Sequence, residues 1–490
     1  MAGCASVGPE FEKPVAEVAD TWLEAHDPRV DTSSSAYKDW WAVFNDPVLD
    51  QLIARAYAEN PNLQVAGLRI LEARAMLGIT TGLKYPQSQS VGASSARSKS
   101  SENAPPFSSL PDDVTGRMDT TSTFWASSFD IAWEADIWGR FRRGIESAEA
   151  NLLSNMLNYD AVLVTLTGDV ALTYTNIRTF EQRLVYLQEN IAIQRQGLEI
   201  AENRFEFGAT SELDVVQSQS QLLSTEAAIP LLRMQIRMAK NVLSFLLGIP
   251  PNTLKDILGS ETSIPSASRN AAVGIPADLI RRRPDVRAAE MAAAAQSAGI
   301  GVAKADLYPQ FVLAGSIGLA GESFSGQFES GASSGFVTAL VNWNIFNYDR
   351  IKNNVRVQDA RFQQLLVAYE ITVLNAAREV EDGLVGFLRS QEQVGYLERA
   401  VVVSRRSVEL SQDQYEAGLI DYQRVLNSQI SLLSQQVELA NAQGRIATSL
   451  VSTYRALGGG WQLHEGNSVV QPATLKLMRE RTDWGDLLED

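Results

Sequence analysis

The sequence predicts an internally duplicated chain of mixed α and β class that meets a membrane through strands. Three observations carry this reading. RFEFGATSELDVVQSQ at 204–219 recurs as QYEAGLIDYQRVLNSQ at 414–429, and the constant offset of 210 also pairs Trp133 with Trp343, Arg140 with Arg350 and Tyr159 with Tyr369. Between Trp125 and Trp138 hydrophobicity alternates with period two, as it does in the equivalent stretch 337–346. Two stretches without proline, 139–207 and 349–417, are each long enough to make a helix of about 100 Å. A repeat of this length marks duplication of a whole supersecondary unit.

The arm comes first. EFEKPVAEVADTWLEAHDPRVDTSSSAYKDWWAVFNDP is punctuated by Pro and Ser and lacks a helical period, so 1–47 reads as an extended N-terminal arm. Its start, MAGCASVGP, resembles the end of a bacterial lipoprotein cleavage site, which makes Cys4 the candidate for covalent lipid. An incidental N-terminal cysteine is the alternative. From Asp50 to about Lys84 apolar residues fall at helical spacing, interrupted at Pro61. Here the copies match at an offset of 223, pairing Pro61 with Pro284 and Pro86-Gln87 with Pro309-Gln310. The 13-residue excess over the other offset must sit between Pro86 and Trp133, where SSENAPPFSSLPDDVTG reads as a longer loop.

Strands follow. Trp125, Phe129, Ile131 and Trp133 fall on one side, while Asp130, Glu134 and Asp136 fall on the other. The acids suit the lining of a water-filled lumen better than paired acid and base chemistry. Trp125, Trp133, Trp138 and Trp343 suit the aromatic girdles of membrane strands. A soluble sheet with one face on a core is the competing account. The want of a strongly apolar helix stripe to cover that face, and the tryptophans near both ends of the strand, weigh against it. Hairpins at 86–138 and 309–347 give four strands. About eight are needed to close a barrel, so a membrane reading demands oligomerisation.

Each long helix then ends at a glycine, Gly208 or Gly418, a common helix C-terminal residue, and a short tip at 208–213 or 418–423 returns the chain as a second helix. Pro230 interrupts the first return helix and predicts a kink or local irregularity. The repeats thus occupy 48–247 and 276–457, separated by a linker at 248–275 and followed by a tail at 458–490.

Composition removes several function classes. With 42 Lys and Arg against 58 Asp and Glu, the net charge of −16 argues against a nucleic-acid surface. Two histidines, His26 and His464, and one cysteine leave no zinc site, disulfide framework or Cys-His nucleophile pair. No apolar run reaches the roughly 18 residues of a membrane-spanning helix. RRRPDVR at 281–287 invites an anion site, yet Pro284 fits a first helical turn and Asp285 is favourable near a helix N-terminus, so a structural role is the better account.

Several phrases resemble the TolC-like outer membrane factors: LIRRRPDVRAAE at 279–290, KADLYPQFVLAGSIGLAG at 304–321, DIWGR at 136–140, GATSELDVVQ at 208–217 and the terminal YRALGGGW. The AGC start is similar to the lipid-anchored branch associated with RND-type multidrug pumps. This resemblance implies a homotrimer in the bacterial outer membrane, four strands per chain building a twelve-stranded barrel continuous with a long periplasmic α-helical barrel. Residues 248–275 and the C-terminal tail would form an equatorial belt. It implies no catalysis, no metal and no cofactor beyond lipid on Cys4; the partners are a periplasmic adaptor, an RND-type inner-membrane pump and outer-membrane lipid. The duct would open at the periplasmic tips. Where the family often has gate carboxylates this chain has Arg424 and Asn427, so we expect Asp421 or Asp214 to pair with Arg424 between neighbouring hairpins, with Tyr422 narrowing the aperture. A solvated surface cluster is the alternative. From the long helices alone, a soluble coiled-coil scaffold is the competing function.

Overall fold

The computed structural model describes residues 6–31, 38–105, 107–109, 111, 118–251, 253–259, 262–266, 271–272, 280–464 and 468–488. Cys4 lies outside them. The chain divides into two compact units, one holding Met1–Pro14, Glu72–Leu153 and Glu290–Val367, the other Val15–Leu71, Ser154–Ala289 and Ala368–Asp490.

The first unit is built on an antiparallel sheet of four strands: β1 (Ser88–Lys99), β2 (Thr121–Glu134), β3 (Gln310–Gly321) and β4 (Ser333–Asn342) in the order β1-β2-β3-β4. Register fixes its two faces. Phe129 opposes Val91 and Ile317, Trp133 opposes Leu313, and Phe311 opposes Val341, which gathers one apolar face. Asp130 opposes Ser90 and Ser316, and Gly318 opposes Ser128 and Ser334, so the other face is mostly small and polar, with Phe124, Val312, Phe336 and Leu340 as exceptions. Much of the apolar face is exposed; Val337 is 80% and Val341 64% exposed. β1 and β4 are edges with one ladder each.

β2 stops at Glu134, short of the alternating sequence. Ala135 still donates to the Phe311 carbonyl, but beyond it Asp136 accepts from the N–H groups of Phe141 (3.2 Å) and Arg142 (3.0 Å) at the head of the following helix. Asp136 is therefore a helix N-terminal acceptor, not a member of the strand face. Trp138 leaves the sheet for the same reason. Its indole donates to the Pro309 carbonyl at 2.8 Å and stacks on Tyr308. Trp343 likewise falls just past β4 and donates to Leu307 O.

Helix lengths repeat with the sequence. α1 (Pro47–Glu59) and α2 (Pro61–Gly82) are separate helices, divided at Asn60; α2 and α5 (Pro284–Ala305) have 22 residues each. α3 (Arg140–Glu206) and α6 (Arg350–Glu416) have 67, and the return helices α4 (Glu212–Leu246) and α7 (Tyr422–Ala456) have 35. α4 runs on as one helix through Pro230. Among the described residues no helix is long and apolar enough to cross a membrane.

In the second unit the linker, arm and tail wrap the helices. Val30–Asp31 pairs in parallel with Ala271–Ala272. Trp40 stacks on Tyr454 of α7, and Asp46 accepts from Tyr174 of α3 at 2.7 Å. The tail helix α8 (Pro472–Arg481) buries Met478 with Val470, Leu488 and Leu71 of α2. Arg29 chelates Asp27, and its guanidinium reaches Leu388 O and Glu392 of α6, tying the arm down. That contact lowers the Asp27 carboxyl from 3.8 to about 2.

RRRPDVR has a structural use here. Arg283 is buried, its guanidinium reaching Asp285 (2.7 Å), Glu379 (3.0 Å) and the C-terminal carbonyl of α7, Ala456 O (2.6 Å), while Arg281 and Arg282 are exposed.

Candidate functional site

The two helical tips share one backbone solution. At the end of α3, Ala209 N–H bonds Arg204 O and Gly208 N–H bonds Phe205 O; at the end of α6, Leu419 bonds Gln414 O and Gly418 bonds Tyr415 O. These are paired Schellman bonds, and they require the left-handed residue that each glycine supplies, at φ +69° and +76°.

Side chains then join the tips. Asp214, in the first turn of α4, accepts from the Tyr415 hydroxyl of the other hairpin at 2.9 Å and from Thr210 within its own. Arg204 donates to Glu416 O at 2.8 Å, one of the carbonyls that a helix end leaves without an intrahelical partner, and its guanidinium lies 4.8 Å from the Tyr415 ring centroid. Tyr422 donates to Ser218 at 2.6 Å. Tyr415 and Tyr422 meet edge to face at 4.9 Å over Ala201, Val425 and Leu426. Burial raises both phenol pKa values above the ordinary 10, so both hydroxyls stay protonated donors at neutral pH.

Deeper along α3, α6 and α7 the packing turns polar. Asn190 bonds Gln436 and Ser411 bonds Ser428. The side-chain amides of Gln194 and Gln429, each 1% exposed, make no hydrogen bond. Tyr422 and Gln429 fit against α3 because Gly197 there has no side chain.

The expected pair between Arg424 and Asp421 or Asp214 is not formed within the chain. Asp421 caps α7 by accepting from Arg424 N–H at 3.2 Å, while the Asp214 carboxylate is taken up by Tyr415 and Thr210. No ion pair among the described residues involves Arg424. Arg424 and Asn427 are exposed and line a groove with Arg406 and Ile420, and Asn427 accepts from Gln423. Tyr422, 1% exposed, is packed between the hairpins rather than projecting into an aperture.

Sequence reasoning passed over Arg204, Thr210, Tyr415 and Ser218. A signal was present in the comparison of the two copies. Tyr415 stands where the first copy has Phe205, and Arg204 where the second has Gln414; these two polar side chains that join the hairpins are ones in which the copies differ, whereas Ser218 is matched by Ser428.

On the sheet, Asp130 accepts from Ser128 at 2.7 Å and Glu134 lies 3.6 Å from Arg140. Trp133 donates to Lys84 O, and Trp125 packs edge-on to Phe324. Among the described residues no cluster of His, Cys, Asp and Glu is placed to hold a metal ion.

Comparisons with known proteins agree with this architecture. The pyoverdine export outer membrane protein OpmQ of Pseudomonas putida is 30% identical over 427 residues, spanning 86% of this chain and 88% of its own length. The toluene efflux pump outer membrane protein TtgI of the same species is 29% identical over 470 residues, 95% of this chain and 97% of its own. The solved structure of the outer-membrane channel OprN superposes with a TM-score of 0.85 at 29% identity, covering 93% of this chain and 99% of that one. Residues 52–249 and 275–459, most of the chain, match the sequence profile of the outer membrane efflux proteins, and the protein belongs to that family.

Proposed function

We propose that the chain is the outer-membrane exit duct of a tripartite efflux system, closed at its helical tips and opened there when a periplasmic adaptor and an RND-type pump engage it. The observation that carries this is the sheet. Four strands expose an apolar face and a polar face and leave β1 and β4 as free edges. A sheet cannot sit in lipid with open edges. β1 and β4 run antiparallel, so β4 of one copy can pair with β1 of the next, and three copies close twelve strands with the apolar face to lipid and Asp130 and Glu134 to the lumen. Trp125 and Trp133 then contribute to the lipid-side aromatic girdles.

In this reading the repeats supply the helices of a periplasmic barrel, and 248–275 with 458–490 belt it. Lipid on Cys4 adds an anchor. The Asp214–Tyr415, Arg204–Glu416 and Tyr422–Ser218 contacts hold the hairpins of each chain together in the closed state; Asp421, Arg424 and Asn427 face outward, available to neighbouring copies or adaptor. Both named relatives serve small organic molecules, toluene and pyoverdine, and we assign this duct the same class of cargo.

The test is single-channel recording of the detergent-purified protein in planar bilayers with its mass in detergent. A trimer with a small, mostly closed conductance supports the duct. A protein that stays dispersed without detergent and never inserts refutes it and favours the coiled-coil scaffold.

A further inference from the structure

The segment joining β3 to β4, residues 322–332, does not extend beyond the sheet but folds back onto its apolar face. Three independent contacts place it there. Gln327, 2% exposed, accepts a 2.9 Å hydrogen bond from Ser127, whose side chain shares a face with Trp125 and Phe129. A Cβ on Gly321, which opposes Trp125 and so points to the same face, would meet the Gly326 carbonyl carbon at 2.6 Å. The Phe324 ring stands edge-on to Trp125 at 5.6 Å.

The fold-back is built. Ser325–Phe328 forms one 3-10 turn, Gly326 N–H bonds Ser323 Oγ, and the Gln327 amide donates to Phe324 O. It presents Phe324 and Phe328 outward, 63% and 67% exposed and in edge-on contact. Two bare phenylalanines held out by a self-tied turn are a costly surface in water. The segment sits over the inner strands β2 and β3, away from the edges where another copy's strands can pair, and at the end of the sheet opposite the starts of α3 and α6.

We propose that this turn is a membrane-contacting flap, which inserts Phe324 and Phe328 at the headgroup and acyl boundary of the outer leaflet. The proposal rests on the reading of the apolar face as lipid-facing. Its occupant is lipid because the flap lies on that face and keeps the surface apolar there, with Phe324 and Phe328 outward. Phenylalanine has no polar handle and enters the acyl side of the boundary, while Glu322 and Glu329, exposed at the ends of the flap, stay in water.

The experiment places nitroxide labels on single cysteines in the full-length chain with Cys4→Ser, reconstituted in phosphatidylcholine vesicles. Collision with oxygen reports lipid, and collision with a water-soluble nickel chelate reports water. Val337→Cys on the apolar face and Ser334→Cys on the polar face are the references, and Phe324→Cys and Phe328→Cys are the tests. The proposal expects both test labels to match Val337, at a depth of about 5–10 Å below the headgroups as for other interfacial apolar faces. It expects Gln327→Ala, which removes the clasp, to shift the Phe328 label toward the nickel response. Val337 in lipid with Phe324 and Phe328 in water would overturn the flap and leave the barrel standing. Labels shielded from both reagents would overturn it in favour of packing against another copy. A Val337 label in water would overturn the flap and the barrel together.

Discussion

Replacing Arg204 with Ala should open the duct. The guanidinium makes two contacts across the hairpins, the 2.8 Å bond to Glu416 O and the 4.8 Å approach to the Tyr415 ring; its bond to Ala209 O stays within its own hairpin and does not resist separation. A hydrogen bond from a charged donor is worth ~1.5 kcal/mol at least, reduced to about 1 because the Glu416 carbonyl regains water when the side chain is removed. The cation–π contact at a part-exposed site adds ~0.5–1 kcal/mol. Each chain therefore loses roughly 1.5–2 kcal/mol of closure, and the three copies of the proposed trimer roughly 5, a factor of about 4,000 in the ratio of closed to open states. Open probability in planar bilayers is the readout. Arg204→Lys keeps the charge but not the planar fork, and should fall between wild type and Ala. An Arg204→Ala trimer that folds, inserts and stays as closed as wild type would refute the claim that these contacts hold the tips.

Other substitutions separate structural from gating roles. Gly208→Ala meets no atom within 4 Å but holds a non-glycine residue at φ +69°, which costs about 1 kcal/mol, read as a lowered thermal transition. Arg283→Met removes a buried guanidinium with one buried and two part-buried partners and should cost ~2–4 kcal/mol in urea unfolding, whereas Arg281→Met and Arg282→Met, on exposed side chains, should stay within about 0.5 kcal/mol of wild type. Gln429→Met removes a buried amide that has no hydrogen bond and should raise the thermal transition. Because the Asp27 carboxyl is depressed from 3.8 to about 2, its contribution to holding the arm is complete above pH ~4 and lost as pH falls toward 2. Limited proteolysis of the arm with an acid-active protease should show that loss, and Asp27→Asn should remove the pH dependence while leaving the arm loose throughout.

Local signals in the sequence located the periodic elements and the turns. Proline-free heptad-like stretches, glycines at the tips and period-two alternation depend on neighbours a few residues apart, which a linear reading sees. The alternation misplaced Asp136 and Trp138 because a helix N-terminal acceptor and a tryptophan packed on Tyr308 happen to keep the strand's phase for four residues after the ladder ends. The tip contacts were hidden for another reason. Tyr415 reaches Asp214 across 201 positions, and which carboxylate it finds is decided by how the hairpins pack. Within one chain Arg424 meets neither Asp214 nor Asp421 through its side chain, and the Asp421 carboxylate accepts from the Arg424 backbone N–H as a helix cap. Pro230 lies inside one continuous helix, Glu212–Leu246.

The free edges of the sheet have a genetic consequence. If three chains share one barrel, each seam is made by two copies, and a chain whose β1 or β4 cannot pair spoils seams belonging to normal neighbours. In a cell making equal amounts of normal and edge-defective chains that mix at random, only about one trimer in eight would be wholly normal, as the symmetry of a closed ring dictates. Edge-strand lesions should therefore behave as dominant alleles, while lesions confined to the interior of one helical hairpin should be masked by a good copy.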